Sequence, residues 1–404
     1  MYPAEQALDS GSAFDRDASR SWNAKMIGPS CDPGEGKQAS FVSQQFDLAS
    51  IAPETVLHVS AQGLYQVFIN GTRVGTDLLT PGWTCYDDRL AYQSYPVADL
   101  LTTGTTRIEI WLGDGWSRSP IMWARRGLAN CWGDRIAAIA ELATGDDILL
   151  KTDSSWKSGL LPITKTGIYY GEDYDARLEV LTDSDTVDVL DFDADAILVP
   201  HETAPVKALE PLDPVESWTD AQGRLVYDFA QNCGAVIRIS VTGEAGAHIL
   251  IEHSEVLGPD RDFDNSNYRD ARGAATYILK GDRVETWQPA FTFMGYRYAR
   301  ITITGDAKIE KIVSLPVTSV PEVSGGFTCG VPAVDRLVLN TVWSQRSNFI
   351  EVPTDWPQRD ERLGGTGDAQ VYVHTACLTT DVQAFFRKWL VDLVDAQEPN
   401  GQFP

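Results

Sequence analysis

Between residues 38 and 320 apolar and polar side chains alternate in short runs, interrupted by turn residues roughly every eight to twelve positions, the spacing of strands in a β-sandwich. In "TVLHVSAQGLYQVFINGTRVGTDLL" two such runs flank Asn70-Gly71, a pair suited to the tight turn of a hairpin. "RIEIWLGDGW", "AAIAELATGDDILLKTDSSW", "RLVYDFAQNCGAVIRISVTGEAGAHILIEHSEVL" and "YRYARITITGDAKIEKIVSL" continue the pattern. The length of this region predicts two antiparallel sandwiches. Pro200, Pro205, Pro211 and Pro214 interrupt any strand ladder, so the divide is placed near residue 205.

After Pro321 the period changes to that of a helix. Val334, Leu337, Val338, Val342 and Trp343 share one face, and Phe385, Phe386, Trp389, Leu390, Leu393 and Val394 share another behind an expected Thr380 cap. Residues 1–37 read as an N-terminal segment with an opening strand, 38–205 as the first sandwich, 206–320 as the second and 321–404 as helices joined by one long loop. The fold class expected is multidomain and mainly β.

Composition narrows the partners. With 57 acidic against 33 basic residues the formal charge is −24, and no cluster of Lys and Arg offers a surface to phosphates, which argues against nucleic acid and membrane partners. A neutral sugar is compatible, and 12 Trp and 14 Tyr supply flat faces for one. The six cysteines form no C-x-x-C pair or Cys/His cluster, so no metal or cofactor is expected and the thiols read as reduced and half-buried. The start of the chain has no basic segment followed by an apolar run, giving a cytoplasmic expectation with export left open.

The candidate chemistry lies in "VPTDWPQRDERLGGTGDAQ", where Asp355, Arg359, Asp360, Glu361, Arg362 and Asp368 are crowded together. Cleavage of a glycosidic bond needs one protonated and one ionised carboxyl group, and arginines can hold a carboxylate or a sugar hydroxyl in place. The same residues are compatible with a solvated loop in which Asp368 caps the helix that follows.

Residues 355–370 differ at only two of sixteen positions from the signature loop of the bacterial α-L-rhamnosidases, glycoside hydrolase family 78, which the sequence resembles. "WNAKMIGP", "IYYGEDYDARLE" and "WQPAFTFMGYRYARI" resemble other parts of that family in the same order. The resemblance implies that the helices are the first of an (α/α)6 catalytic barrel. It implies hydrolysis of terminal α-L-rhamnosides with inversion, Glu361 as general acid with a raised pKa, and Asp355, Arg359 and Asp368 as ligands to rhamnose hydroxyls. The general base is expected beyond residue 404, so the 404 residues alone are expected to be inactive. The substrate partner implied is a rhamnose-containing glycoside or oligosaccharide, and a homodimer is compatible with it. Trp356 stands where the family usually has Cys, and Gly365 where it has the Trp that packs on the sugar. The rival reading is a non-catalytic carbohydrate-binding or scaffold protein derived from this family.

Three further features carry alternatives. Trp83, Tyr86, Trp116 and Trp123 suit a sugar platform or, more simply, a core. "DRDFDNSNYRDARG" has oxygens for Ca²⁺ but lacks the Gly and Glu of an EF-hand, and reads as a polar loop reaching towards the site. The five histidines show no ligand spacing.

Overall fold

A computed structural model describes residues 20–121, 129–191 and 197–403. The alternation forms strands as expected. The first sheet has twelve strands and folds over on itself. One layer contains Arg89–Pro96, Val56–Gln62, Ala137–Thr144 and Met26–Pro29; the other contains Ser40–Leu48, Gly104–Gly113 and Leu64–Ile69. Alternate residues meet between the layers, including Val59, Ala138 and Ala140 from one and Val42, Ile110 and Val67 from the other, with Trp156 buried beside them. The Asn70-Gly71 turn closes Leu64–Ile69 onto Thr72–Arg73 with both turn residues at positive φ, the conformation that favours Asn-Gly.

The second sheet has ten strands around the 19-residue strand Leu225–Gly243. Its period of two serves two cores. Ala235, Ile237, Ile239 and Val241 face the interior of this domain. Val236, with Val313, Leu315 and Val317 of the neighbouring strand, faces Phe41, Leu64 and Trp116 of the first domain. At about 1.5–3 kcal/mol for each large apolar side chain fully buried, this shared layer fixes one domain against the other.

Chain order alone does not describe the pairing. Ile163–Lys165 and Glu172–Asp175 leave the first sheet and join the second, the latter parallel to Ala274–Ile278. Gly171 permits the crossing, since a Cβ there would stand 1.9 Å from the Ala274 carbonyl oxygen. Glu172, fully buried, accepts the N–H groups of Ala290 and Phe291 at 2.9 and 3.0 Å, and burial pushes its carboxyl up to about 8.

Three helices follow: Pro332–Asn348, Thr366–Thr379 and Gln383–Asp395. Pro332 opens the first, where its missing N–H costs nothing. The third starts later than expected, because Thr380 is extended and Asp381 accepts the N–H of Gln383. Asp368 likewise lies within the first turn of its helix, whose cap position is Gly365. Phe349 stacks on Phe385 at 4.5 Å, and these rings with Val320, Ala376 and Val382 form a small core beneath the helices. No described helix is long and apolar enough to cross a membrane.

Candidate active site

The charged stretch is a closed loop whose backbone makes its own neck. Phe349–Ile350 pairs with Val352–Pro353, Thr354 bridges Gly364, and the Asp355 N–H donates to the Leu363 carbonyl at 3.1 Å. Outside the neck the Gly295 N–H of the second domain holds the Pro357 carbonyl at 3.0 Å. At the base Glu351 takes a left-handed φ of 64°, unusual for a residue with a Cβ. Its carboxylate meets His201 Nε2 at 3.1 Å, and Gly82 makes room, since a Cβ there would lie 2.2 Å from the carboxylate.

The two arginines divide the work. Arg362 is 1% exposed and points into the molecule. It donates to the carbonyls of Phe293 at 2.6 Å and Ile168 at 2.5 Å, and burial lowers its pKa to about 10. Beside it the Tyr169 hydroxyl donates to the Glu361 carbonyl. These bonds bind the loop to both β domains and leave the opposite face for chemistry.

On that face the structure brings together the four residues singled out from sequence. Arg359 lies 2.7 Å from the Glu361 carboxylate and 3.4 Å from that of Asp355. Asp368 stands beside Asp355, and a Cβ on Gly365 would be 3.2 Å from Asp368 Oδ2 and 3.9 Å from the Asp355 Cβ. A side chain at position 365 would therefore lie over these carboxylates. Burial first, then the hydrogen bond and charge of Glu361, then those of Asp368, push the Asp355 carboxyl up to about 7.

Asp355 and Asp368 line a cleft of about 430 Å³ with Thr354, Trp356 and Tyr372. A second cleft, of about 260 Å³, opens across Trp356 between the loop and the second domain, and includes Gln358, Asn232 and Glu255. Sequence reasoning missed the last two, which lie more than a hundred residues upstream and acquire a role only through the approach of Gly295 to Pro357. Gln358 stood in the motif, but nothing in a string separates an amide that faces a cleft from one that faces solvent.

The other candidates sort readily. Trp116 and Tyr86 are buried, packed with Trp83 and Trp132, which makes this group a core rather than a platform; Trp123 lies outside the described residues. The polar loop reaches the charged stretch, with Arg269 3.7 Å from the buried Asp360. Among the described residues no group of His, Cys, Asp and Glu is arranged to hold a metal ion. Cys131, Cys329 and Cys377 are exposed, contrary to the expectation of half-buried thiols.

Comparison with known proteins agrees with this organisation. Residues 51–210 match the alpha-L-rhamnosidase N-terminal domain, 219–318 the bacterial alpha-L-rhamnosidase concanavalin-like domain and 322–404 the bacterial alpha-L-rhamnosidase 6 hairpin glycosidase domain. An alpha-L-rhamnosidase of Streptomyces avermitilis is 34% identical over 363 residues, 86% of this chain and 35% of the relative. The crystal structure of native alfa-L-rhamnosidase from Aspergillus terreus superposes with a TM-score of 0.86 at 31% identity, covering 93% of this chain and 45% of that one. The Streptomyces avermitilis alpha-L-rhamnosidase structure, complexed with L-rhamnose, gives 0.84 at 32% identity, covering 91% and 37%. The chain thus spans less than half the length of these relatives. With all three domain matches in order and two β domains leading into hairpin-barrel helices, the chain belongs to the bacterial α-L-rhamnosidase family.

Proposed function

We propose that this chain supplies the acid side of an inverting α-L-rhamnoside hydrolase. Glu361 gives a proton to the departing glycosidic oxygen, while Asp355, Asp368 and Arg359 hold hydroxyls of the rhamnosyl ring. The observation that carries this reading is the cluster in which the Arg359 guanidinium pairs with the Glu361 and Asp355 carboxylates while Asp368 crowds Asp355, with Asp355 and Asp368 facing a cleft. Such a set is unbalanced by itself and becomes balanced when a polyol donates hydroxyls into it. The base that activates water stands across the sugar, roughly 6.5–9.5 Å from the acid in inverting enzymes. It is assigned to the part of the relatives that this chain does not span.

Two measurements test this. In the polypeptide as its complete gene encodes it, Glu361→Gln is expected to lower kcat on an aryl α-L-rhamnoside by about 10²–10⁴-fold and to leave rhamnose affinity nearly unchanged, because the amide keeps the shape and cannot donate the catalytic proton. Turnover equal to the parent's would remove Glu361 from the mechanism. The 404 residues alone are expected to show no enzymic turnover of the same substrate, and appreciable hydrolysis by them would place the base within this chain.

A further inference from the structure

We infer that His201 and Glu351 are a positioning pair for the acid loop: the buried contact between them fixes where the neck of the loop stands, and so where Glu361 and Asp355 act. The inference rests on the reading of Glu361 as proton donor. Neither residue lines the cleft that holds Asp355 and Asp368, so their influence passes through the backbone. Three parts of the molecule converge on Glu351, which sits between the paired Ile350 and Val352. Its N–H donates to Ser319 Oγ at 3.0 Å, just after the last strand of the second domain. Its carbonyl accepts from Lys388 Nζ of the helix Gln383–Asp395 at 3.3 Å, and its carboxylate meets His201 of the first domain. His201 is itself held to the first sheet, because its N–H continues the pairing of Ile197–Pro200 with Arg89–Pro96 by donating to the Tyr92 carbonyl at 3.0 Å. A left-handed residue with a Cβ persists only where its surroundings over-determine it, and here all three bonds come from outside the loop.

The contact titrates. Only 5% of the His201 side chain and 2% of the Glu351 side chain are exposed. Burial lowers the affinity of His201 for a proton, but the charge and hydrogen bond of Glu351 together outweigh it and carry the imidazole above its ordinary 6.5, with the charge of Lys388 opposing them. Lys388 is paired with Asp392 at 2.9 Å, and Tyr86 faces Glu351 from the first domain. Glu202, Asp381 and Arg387 stand with His201 around a cleft of about 650 Å³ that gives the edge of the imidazole access to water. A protonated His201 holds Glu351 by a charge-assisted bond, roughly twice as strong as the bond a neutral imidazole makes.

His201→Gln offers Glu351 an amide N–H and so mimics the neutral imidazole. The test measures kcat and KM for p-nitrophenyl α-L-rhamnoside in parent and variant, each as the complete gene encodes it, from about pH 6 to about pH 9. The ratio of the two kcat values cancels the titration of Glu361 and Asp355, which both proteins share. It is expected to favour the parent about tenfold at about pH 6 and to approach unity at about pH 9, with KM changed less than about twofold, because proton transfer suffers from a misplacement of about 1 Å that hydroxyl binding tolerates. Glu351→Gln removes the charge from the other partner, is expected to show the same convergence, and reads the pair if His201→Gln does not fold. Equal kcat across the range, whatever the change in urea midpoint, would overturn the inference and leave the pair to stability alone, and so would a ratio that does not move with pH. If Glu361→Gln turns over as fast as the parent, the reading of Glu361 itself fails, an outcome distinct from any ratio measured for His201→Gln.

Discussion

Two arginines in this molecule each sit between acidic side chains, and their surroundings differ in a way that separates structure from chemistry. In the first domain Arg118 is enclosed with Asp32 and Asp114, all of them nearly inaccessible to solvent. Arg118 Nε donates to Asp114 at 2.7 Å, its Nη1 to Asp32 and also to the Asp134 carbonyl at 3.2 Å, while the other oxygen of Asp114 takes the Gly36 N–H at 2.7 Å. Every member is satisfied. In the loop Arg359 serves Asp355 and Glu361 with Asp368 alongside, all partly exposed, and a cleft adjoins them. A raised pKa does not tell the two apart, because burial lifts Asp114 to about 6 just as burial and like charge lift Asp355 to about 7. The balance of donors and acceptors does: a closed set holds a fold, and an acceptor-rich open set awaits a ligand.

The comparison makes its largest claim about Arg118. Arg118→Leu strands two buried carboxylates and is expected to destabilise the chain by about 3–5 kcal/mol, read as a fall in the urea midpoint. A loss below about 1 kcal/mol would mean that the cluster relaxes into water. Arg362→Leu comes next. It strips the Phe293 carbonyl of its guanidinium donor and leaves the Ile168 carbonyl only the Thr292 hydroxyl at 3.2 Å, and is expected to cost about 2–3 kcal/mol and to loosen the loop, seen as faster amide exchange at Asp355 and Gly365.

Arg359→Ala should reverse the pattern. Its partners are partly exposed, so stability is expected to change by less than about 1 kcal/mol, while affinity for rhamnose falls about tenfold in a titration. A large stability loss with binding retained would move Arg359 into the structural class with Arg362.

Arg359 and Arg362 also mark the limit of what the sequence made legible. The strand alternation, the Asn70-Gly71 hairpin, the change of period after Pro321 and the crowding of Asp355, Arg359, Glu361 and Asp368 all follow from local pattern, and local pattern is where propensity and periodicity act. Two arginines three residues apart in one polar string look alike, whereas one turns inward because carbonyls from residues 168 and 293 converge on it. The exchange of residues 163–175 into the second sheet and the contact of His201 with Glu351, 150 residues away, are equally long-range. No period in the chain announces a partner at that distance.

The smallest effect expected concerns Asp355 and pH. Its carboxyl holds a proton up to about 7 in the folded chain against an ordinary 3.8. Below pH 3.8 the folded and unfolded chains are both protonated there, and the group's contribution to stability is at its full value. As pH rises from there to about 7 the unfolded chain has released the proton that the folded chain retains, so the contribution to stability falls, and it is lost once pH passes the folded value. Asp355 is partly exposed, and solvent screening holds the change to under about 1 kcal/mol. Asp355→Asn removes the titration. The stability of the variant relative to the parent is therefore expected to rise between pH 4 and pH 7.5 and to level off above that, in urea unfolding at a series of pH values. A difference that stays flat across this range would mean that Glu361 and Asp368 do not crowd Asp355 in solution, and the contrast with the closed Arg118 cluster would then rest on exposure alone.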